Sequence, residues 1–341
     1  LELQSTTELM LSLKRFGQII PHRYLRQTVR LEILLKNGET CMSKLMSEKT
    51  VVITGATSGI GYYSALEIAN LGAHVILVGR NTERGENATE TIIKESGNSE
   101  IEFIVGDVST KNGVEQLANA INQSVSKIDV LINNAGYLGN TLKYNEDGLE
   151  MHFAVNVVAP WNLTHALLPK LKSSPSPRVL NTSGGDKPAA IDPTNLQAEK
   201  KFRGLMTYTH SKSILEAMSI ALSKRLEPEN VSVNIVFPGR ASTSMTQSLT
   251  TKGLPGPMKI MMPFFKLFFR SDGGKSAHKA SQSTVFAATD PSLEGVTGRY
   301  FDTKSKEKEL HPSAYDEQVQ KQIVVTLSLI HISEPTRLNP I

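Results

Sequence analysis

The chain is poor in the features that mark several large classes of protein. It contains one cysteine, Cys41, so it cannot form an intrachain disulfide framework, and it fits a reducing compartment. It has no uncharged apolar run of about 18 residues, so we expect no membrane-spanning helix. Its net charge of +4 is not concentrated in a block rich in lysine and arginine, which argues against nucleic acid as a partner. We therefore expect a cytoplasmic protein.

The composition that remains is that of an ordinary globular protein, but the two ends of the chain differ from its middle. Residues 1–45 show neither capped helices nor a strand pattern, and we expect upstream read-through or a disordered leader there. A targeting peptide is the alternative, because the stretch is basic, although organelle presequences are poor in acids. We expect a C-terminal extension over 306–326. Residues 327–341 resemble a translated sequencing adapter, and we expect no structural role for them.

Between the ends, short runs of β-branched residues alternate with segments of helical periodicity. Nearly continuous apolar strands are typical of a parallel sheet that is buried on both faces. The alternation predicts an α/β fold, in which one domain over 46–305 forms a doubly wound parallel sheet with helices on both faces. Predicted strands cover 50–54, 74–78, 102–105, 130–132, 178–181 and 231–237. Predicted helices cover 62–71, 82–95, 113–123, 148–171 and 207–226.

A glycine-rich turn lies directly after the first predicted strand and before a helix. Glycine allows a tight turn and a close approach of backbone to a pyrophosphate, while a helix N-terminus offers unpaired N–H groups to phosphate. The strand before the turn and the helix after it are the context that a dinucleotide-binding turn requires. A glycine turn without a ligand is the alternative. The predicted cofactor-binding residues here are Gly55, Thr57, Ser58, Gly59, Ile60 and Gly61.

The end of the second predicted strand distinguishes between two dinucleotides. An acidic residue there would hold the ribose 2′-hydroxyl of NAD, whereas arginine accommodates the 2′-phosphate of NADP. The sequence has Arg80 and Asn81 at this place, with no acid before Glu83. The planar guanidinium of Arg80 suits phosphate, although a solvated surface arginine is the alternative. We therefore predict NADP as the cofactor, with NAD as the less favoured one.

Tyr208 and Lys212 are spaced four residues apart on a predicted helix. Residues at this spacing lie on one face of a helix, with neighbouring side chains. A cation beside a phenol stabilises the tyrosinate and lowers its pKa from about 10, so the group can exchange protons with an alcohol or ketone. Alone, the pattern is weak, because such pairs are common on exposed helices.

Four blocks in order resemble the short-chain dehydrogenase/reductase family. They are the 54–61 turn, the Asn-Ala-Gly block at 133–136, Ser183 upstream of the Tyr208–Lys212 pair, and Pro238-Gly239 followed by Thr243. The resemblance covers about 48–305 and implies a single Rossmann-type domain that carries both cofactor and substrate sites. Within the family, the stretches 146–156, 191–196 and 293–301 are most similar to the NADP-preferring, retinol-dehydrogenase-like branch.

The resemblance assigns roles to four catalytic residues and no metal. Tyr208 would be the general acid in reduction and the general base in oxidation, and Lys212 would lower its pKa and contact the nicotinamide ribose. Ser183 would hydrogen-bond the substrate oxygen, unless it is only a turn serine beside two glycines. Asn156 would hold a water that relays protons to Lys212, unless it only caps or bends a helical turn.

Further cofactor contacts are implied by the same resemblance. Asp107 would face the adenine ring, although it could equally be the N-cap of the next helix. Thr243 would meet the carboxamide or pyrophosphate end of the cofactor, whereas Asp129 and Asn133 are expected to stabilise the sheet. His210 is expected to be a packing residue. The remaining predicted contacts are Val108, Asn134, Ala135, Gly136, Pro238 and Gly239.

The substrate is expected to meet two variable segments, 184–206 and 244–271. Residues 258–270 combine Met and Phe with three basic residues, which suits an adaptable apolar pocket or peripheral contact with a membrane surface. A helix that packs on the domain's own core is the alternative. We expect a lipophilic alcohol or carbonyl as substrate and, by analogy, a homodimer. The alternatives are a ketoreductase of a secondary metabolite or steroid-like ketone, and a cofactor-binding regulatory protein.

Overall fold

An eight-stranded sheet organises the compact unit that begins at Met46. The computed structural model describes residues 45–184, 189–239, 241 and 273–331. The strand order is β3-β2-β1-β4-β5-β6-β7-β8, parallel except for the last pair, β7 with β8. The predicted α/β fold with a doubly wound sheet is therefore confirmed. The strands are β1 Thr50–Thr54, β2 His74–Gly79, β3 Ile101–Val105, β4 Val130–Asn133, β5 Arg178–Thr182, β6 Ser232–Val236, β7 Tyr300–Phe301 and β8 Glu307–Lys308.

The central strands form because their β-branched and leucine side chains are buried on both faces. Every residue of β1, β4, β5 and β6 is buried, and two large apolar clusters cover the sheet. β1 pairs with β2 on one side and with β4 on the other, so the direction of winding reverses between β1 and β4. Ligands of open α/β sheets bind at such a reversal, outside the carboxyl ends of the strands. All predicted site residues in the described ranges follow strands that end at this edge or lie on the helices next to it.

Helices connect the parallel strands, and several begin at side-chain caps. They are α1 Gly59–Asn70, α2 Thr82–Ser96, α3 Lys111–Ser124, α4 Met151–Phe153, α5 Ala159–Ala166, α6 Leu168–Lys172, α7 Gly204–Leu226, α8 Lys275–Thr289 and α9 Glu317–His331. None of the helices in the described ranges is both long enough and apolar enough to span a bilayer.

The segment predicted as one helix over 148–171 is broken. A π-helical turn, Ala154–Val158, separates α4 from α5, and α6 follows a further break at Leu167. Pro160 explains the first break, because proline has no N–H to donate to the carbonyl four residues before it, that of Asn156. Pro169 acts in the same way beside Leu167. Such π turns are frequent at functional sites, and this one contains Asn156.

The C-terminal helix α9 crosses the boundary that the sequence suggested after Thr326. It packs against α7, and the side chain of Leu327 is fully buried in the larger apolar cluster. By contrast, Leu329 is 67% exposed. The structure thus gives at least one residue of the adapter-like segment a place in the core.

Candidate active site

The glycine-rich turn after β1 has a geometry that glycine alone accommodates. Gly55 and Gly59 have φ angles of 67° and 60°, in the left-handed region that side chains disfavour. A Cβ on Gly61 would lie 2.4 Å from the Gly55 carbonyl oxygen and 2.5 Å from Asn134 Nδ2. Helix α1 therefore begins directly against the turn, and its first N–H groups point toward the carboxyl edge of the sheet.

Asn134 holds this turn in place from the end of β4. Its Nδ2 donates to the carbonyls of Thr54 at 2.9 Å and Gly55 at 3.2 Å. The backbone N–H groups of Asn134 and Ala135 both donate to Thr54 Oγ1 at 3.0 Å. The structure thus uses the Asn134 amide to brace the turn, and the chain then passes through Gly136 toward the site.

The end of β2 lies beside the same turn and presents Arg80. A Cβ on Gly79 would lie 2.5 Å from Thr57 Cγ2, so the strand end and the turn are in contact. Arg80 is exposed, whereas the Asn81 side chain accepts the Arg84 N–H at 2.8 Å and caps α2. Of the two predicted contacts at this strand end, Arg80 has its charged group available to a ligand, and the side-chain oxygen of Asn81 is already engaged.

The two residues predicted to contact adenine follow β3. The Asp107 carboxylate accepts the Ser109 N–H at 2.9 Å, and Val108 is buried in the core cluster. The alternative that Asp107 caps the next helix is wrong. The N-cap of α3 is Thr110, whose hydroxyl accepts the Gly113 N–H at 3.1 Å.

The structure brings Ser183, Tyr208 and Lys212 together beside the end of β5. A Cβ placed on Gly184 would lie 2.3 Å from the Tyr208 hydroxyl oxygen and 3.4 Å from Lys212 Cγ. The Tyr208 hydroxyl therefore lies against the backbone that follows Ser183. Lys212 is buried and donates from Nζ to the Thr182 carbonyl at 2.8 Å. Gly184 was not predicted as a site residue, although it lies beside Ser183 in the sequence.

A buried carboxyl group, Glu216, completes this cluster and was missed by the sequence analysis. It lies one helical turn after Lys212, and its Oε1 is hydrogen-bonded to the Ser183 hydroxyl. Burial raises the pKa of Glu216 to about 7, against the opposing effects of Ser183 and Lys212. Burial also lowers the pKa of Lys212 to about 8, against the opposing charge of Glu216. The Lys-x-x-x-Glu spacing on one helix face was the available signal.

Asn156 connects the loop after β4 to the helix that carries Tyr208. It is fully buried; its Oδ1 accepts the Tyr137 N–H at 2.8 Å, and its Nδ2 donates to the Tyr137 carbonyl at 3.0 Å. Nδ2 also donates to Ser211 Oγ on α7 at 2.9 Å. These contacts are long-range, so the alternative of a purely local helix cap does not describe them.

A second buried pair, Glu150 and His152, lies beside Tyr208. Glu150 Oε1 is 2.7 Å from His152 Nδ1, and the Gly139 N–H donates to His152 Nε2 at 3.0 Å. Because Nε2 accepts a hydrogen bond, the proton of the neutral imidazole is on Nδ1 and faces the carboxylate. The ring centroid of His152 is 6.4 Å from that of Tyr208, in an edge-on arrangement. The pair therefore fixes both the loop and one side of the tyrosine.

The other predicted residues lie near the site or outside the described part of the chain. His210 accepts the Asp192 N–H at 3.0 Å and so anchors the first substrate segment, while burial lowers its pKa. Asp129 and Asn133 hydrogen-bond neighbouring strands and loops, as expected for sheet residues. Gly239, after Pro238, has a φ of 84°. Thr243 and residues 258–270 lie outside the described residues.

These positions fit a nicotinamide dinucleotide. Positions 55, 59 and 61 of the turn carry no side chain, so a ligand can approach the backbone there. The turn, Arg80 and Tyr208 all lie at the carboxyl edge of one sheet. The turn would hold the pyrophosphate, and Arg80 would hold a 2′-phosphate. Lys212 and Tyr208 would lie at the nicotinamide end.

Comparison with known proteins agrees with this geometry. Residues 49–253 match the family model described as short chain dehydrogenase. Retinol dehydrogenase 13 of Mus musculus is 34% identical over 85% of this chain and 87% of its own length. Polyprenol dehydrogenase of Homo sapiens is 30% identical over 81% of this chain and 83% of its own length.

A solved structure gives the same result for the fold. A short chain dehydrogenase from Shigella flexneri 2a str. 301, complexed with NADP, has a TM-score of 0.54 and 25% identity. The match covers 77% of this chain and 99% of that one. The chain therefore belongs to the short chain dehydrogenase family, NAD(P)-binding oxidoreductases that act on CH–OH groups.

Proposed function

We propose that the protein is an NADP(H)-dependent oxidoreductase that interconverts a lipophilic alcohol and its aldehyde or ketone. The observation that carries this proposal is the cluster at the end of β5. There Tyr208 and the buried Lys212, one turn apart on α7, lie against the backbone of Gly184, directly after Ser183. An intact proton-transfer cluster of this kind argues against a regulatory protein without turnover.

The cluster can move a proton to or from the substrate oxygen. In reduction, Tyr208 gives its phenolic proton to the carbonyl oxygen, and Ser183 donates a hydrogen bond that stabilises the developing negative charge. The Lys212 ammonium group favours the tyrosinate that remains. A bound nicotinamide cofactor supplies the hydride in this direction and takes it up in the other. Asn156 would support proton return through a water held between the π turn and Lys212.

The preference for NADP rests on Arg80. No acidic residue lies at the end of β2 to hold a ribose 2′-hydroxyl, and the exposed guanidinium is placed beside the glycine turn. The NADP complex of the Shigella flexneri relative supports the same choice. Because Arg80 has no second basic residue in the turn, we expect NADP to be preferred over NAD by a modest factor.

The choice of a lipophilic substrate is supported by the relatives. Two of them are named for retinol and for polyprenol, both long apolar alcohols. A sugar or other polar substrate would need a set of convergent polar groups. Met206, two residues before Tyr208 on α7, and Leu142 and Tyr144, in the loop after β4, are instead exposed apolar side chains. Peripheral membrane contact through residues 258–270 and a homodimer remain part of the proposal.

An NADPH-oxidation screen over retinal, medium-chain aldehydes and steroid ketones tests the proposal. We expect turnover with at least one apolar carbonyl, and loss of turnover in Tyr208→Phe with unchanged NADPH binding. Tight NADPH binding without turnover of any carbonyl would refute the enzymatic function. A steroid ketone as the sole substrate would instead favour the ketoreductase alternative.

A separate experiment tests the cofactor. Arg80→Ala should raise KM for NADPH by about tenfold or more, because it removes a charge-assisted contact with phosphate. KM for NADH should change by less than about twofold, since NADH has no 2′-phosphate. Arg84→Ala, one turn into α2, is the matched control. An equal effect of Arg80→Ala on both cofactors would refute the phosphate role.

A further inference from the structure

Glu216 has no place in the mechanism above, and yet it touches the residue that should contact the substrate oxygen. Its side chain is 5% exposed, and its Oε1 is hydrogen-bonded to the Ser183 hydroxyl. A serine hydroxyl has one proton to donate. If that proton goes to Glu216, it is not available to a substrate carbonyl.

The second carboxyl oxygen decides which protonation state the site favours. Among the described residues, Glu216 Oε2 is buried and has no hydrogen-bond partner. A carboxylate would therefore keep charge on an oxygen that no donor stabilises, which is costly in a buried site. A proton on Oε2 would face no acceptor, whereas a proton on Oε1 would face Ser183 Oγ. The geometry thus favours a neutral Glu216 that donates to Ser183.

The charged and titratable groups that act on Glu216 come from two elements. Lys212 lies one turn earlier on α7 and favours the carboxylate. Tyr300, on β7, is the second such group: burial, and next the negative charge of Glu216, raise its pKa. Burial outweighs the effect of Lys212 and raises the pKa of Glu216 to about 7, so the proton is held near neutral pH.

We propose that Glu216 is a positioning residue whose protonated carboxyl donates to Ser183 Oγ and directs the Ser183 hydroxyl proton toward the substrate oxygen. This inference rests on the proposed function for its catalytic consequence. When Glu216 loses its proton, the hydrogen bond reverses, Ser183 donates to the carboxylate, and the substrate carbonyl loses a donor. Carbonyl reduction should therefore decline as pH rises through the Glu216 pKa, in addition to any decline from Tyr208.

Glu216→Gln separates this inference from a merely structural role. The glutamine amide can donate to Ser183 Oγ at every pH, as the protonated acid does. We expect kcat/KM for carbonyl reduction within about threefold of wild type below pH 7. Through neutral pH, where wild type loses up to about tenfold per pH unit, the decline in the variant should be clearly weaker. In Ser183→Ala, adding Glu216→Gln should leave kcat/KM below pH 7 unchanged, because the acid and the amide are then both uncharged and no Ser183 hydroxyl remains to be directed. Loss of activity in Glu216→Gln, or an unchanged pH profile, would overturn the inference.

A second measurement needs neither turnover nor a folded Glu216→Gln variant, because it titrates Glu216 itself. Carbon-13 NMR of glutamate carboxyls gives the midpoint of Glu216 directly, and its signal is the one that shifts in Ser183→Ala. A Glu216 titration midpoint well above the ordinary pKa of glutamate supports the inference. A midpoint at about 4.3 overturns it. If wild type turns over no carbonyl, the proposed function fails, but this titration still decides whether Glu216 holds a proton against Ser183.

Discussion

Gly184→Ala provides a sharp test of the catalytic cluster, because its effect follows from one distance. The added methyl would lie 2.3 Å from the Tyr208 hydroxyl oxygen, where ordinary contacts begin at 3.4 Å. The phenol must therefore move by about 1 Å, and a displacement of that size at a reacting group lowers the rate by about 100-fold. We expect kcat/KM to fall by at least that factor, which corresponds to about 2.7 kcal/mol of transition-state stabilisation.

The fold and the cofactor site should be largely unaffected by this change. Gly184 has no left-handed backbone angle, so alanine adds no backbone strain. We expect NADPH affinity, measured by fluorescence titration, to change by less than about threefold, since the methyl meets the tyrosine and not the glycine turn.

Gly97→Ala is the matched control for this variant. Its methyl would meet nothing within 4 Å, but its φ is 68°, at the end of α2. It should lower the free energy of unfolding by about 1 kcal/mol and leave kcat/KM unchanged. A folded Gly184→Ala protein with wild-type kcat/KM would show that the Tyr208 hydroxyl is not placed against the Ser183–Gly184 backbone.

Two further predictions concern packing. Glu150→Gln places an amide donor where a carboxylate oxygen accepts from His152 Nδ1 or from two backbone N–H groups. The free energy of unfolding, measured with urea, should fall by about 1–3 kcal/mol, and kcat/KM should fall as well. No change in either quantity would contradict the assigned tautomer of His152. Leu327→Ala should cost about 3 kcal/mol, whereas Leu329→Ala, two-thirds exposed, should cost less than about 0.5 kcal/mol. Equal costs would mean that the adapter-like segment takes no part in the core.

The sequence predicted the sheet well where strands are apolar on both faces. The strand 50–54 was predicted with its observed bounds, and the other five agree within one residue at each end. Strands β7 and β8 were not predicted, because each has only two residues, too few to show a strand pattern, and both residues of β8 are exposed and charged. The break in the helix over 148–171 could have been predicted from Pro160, since proline cannot donate the backbone hydrogen bond.

The candidate site was predictable only in part, for a physical reason. Spacing along one helix reveals Tyr208 and Lys212, and a strand-turn-helix context reveals the glycine turn. The contacts of Asn134 with Thr54, and of Ser183 with Glu216, join residues 80 and 33 positions apart. Such contacts depend on which strands become neighbours, and that information is not local. The sequence therefore predicted the groups that we propose to react but missed residues that lie against them, Gly184, Glu150, His152 and Glu216.

The buried Glu216 should also control how the stability of the protein depends on pH. Its pKa in the folded protein, about 7, is above the ordinary value of 4.5, so the folded state binds more protons between these two values. Stability contributed by the neutral acid is therefore present at low pH and is lost as pH rises toward 7. A shift of this size corresponds to about 3 kcal/mol. Glu216→Gln does not titrate, so its free energy of unfolding relative to wild type should rise by up to that amount across the window.

Urea unfolding of both proteins between about pH 5 and pH 7.5 measures this difference. Burial lowers the pKa of Lys212 from 10.5 to about 8 in the folded protein. In wild type, its contribution to the free energy of unfolding therefore changes with pH mainly above this window. In Glu216→Gln the lysine loses the charge that favours its ammonium form, which moves its pKa further down and adds to the gain of the variant at the upper end. A difference between the two proteins that is constant with pH would mean that Glu216 keeps an ordinary pKa, and that the carboxylate is stabilised in the fold despite its unpartnered oxygen.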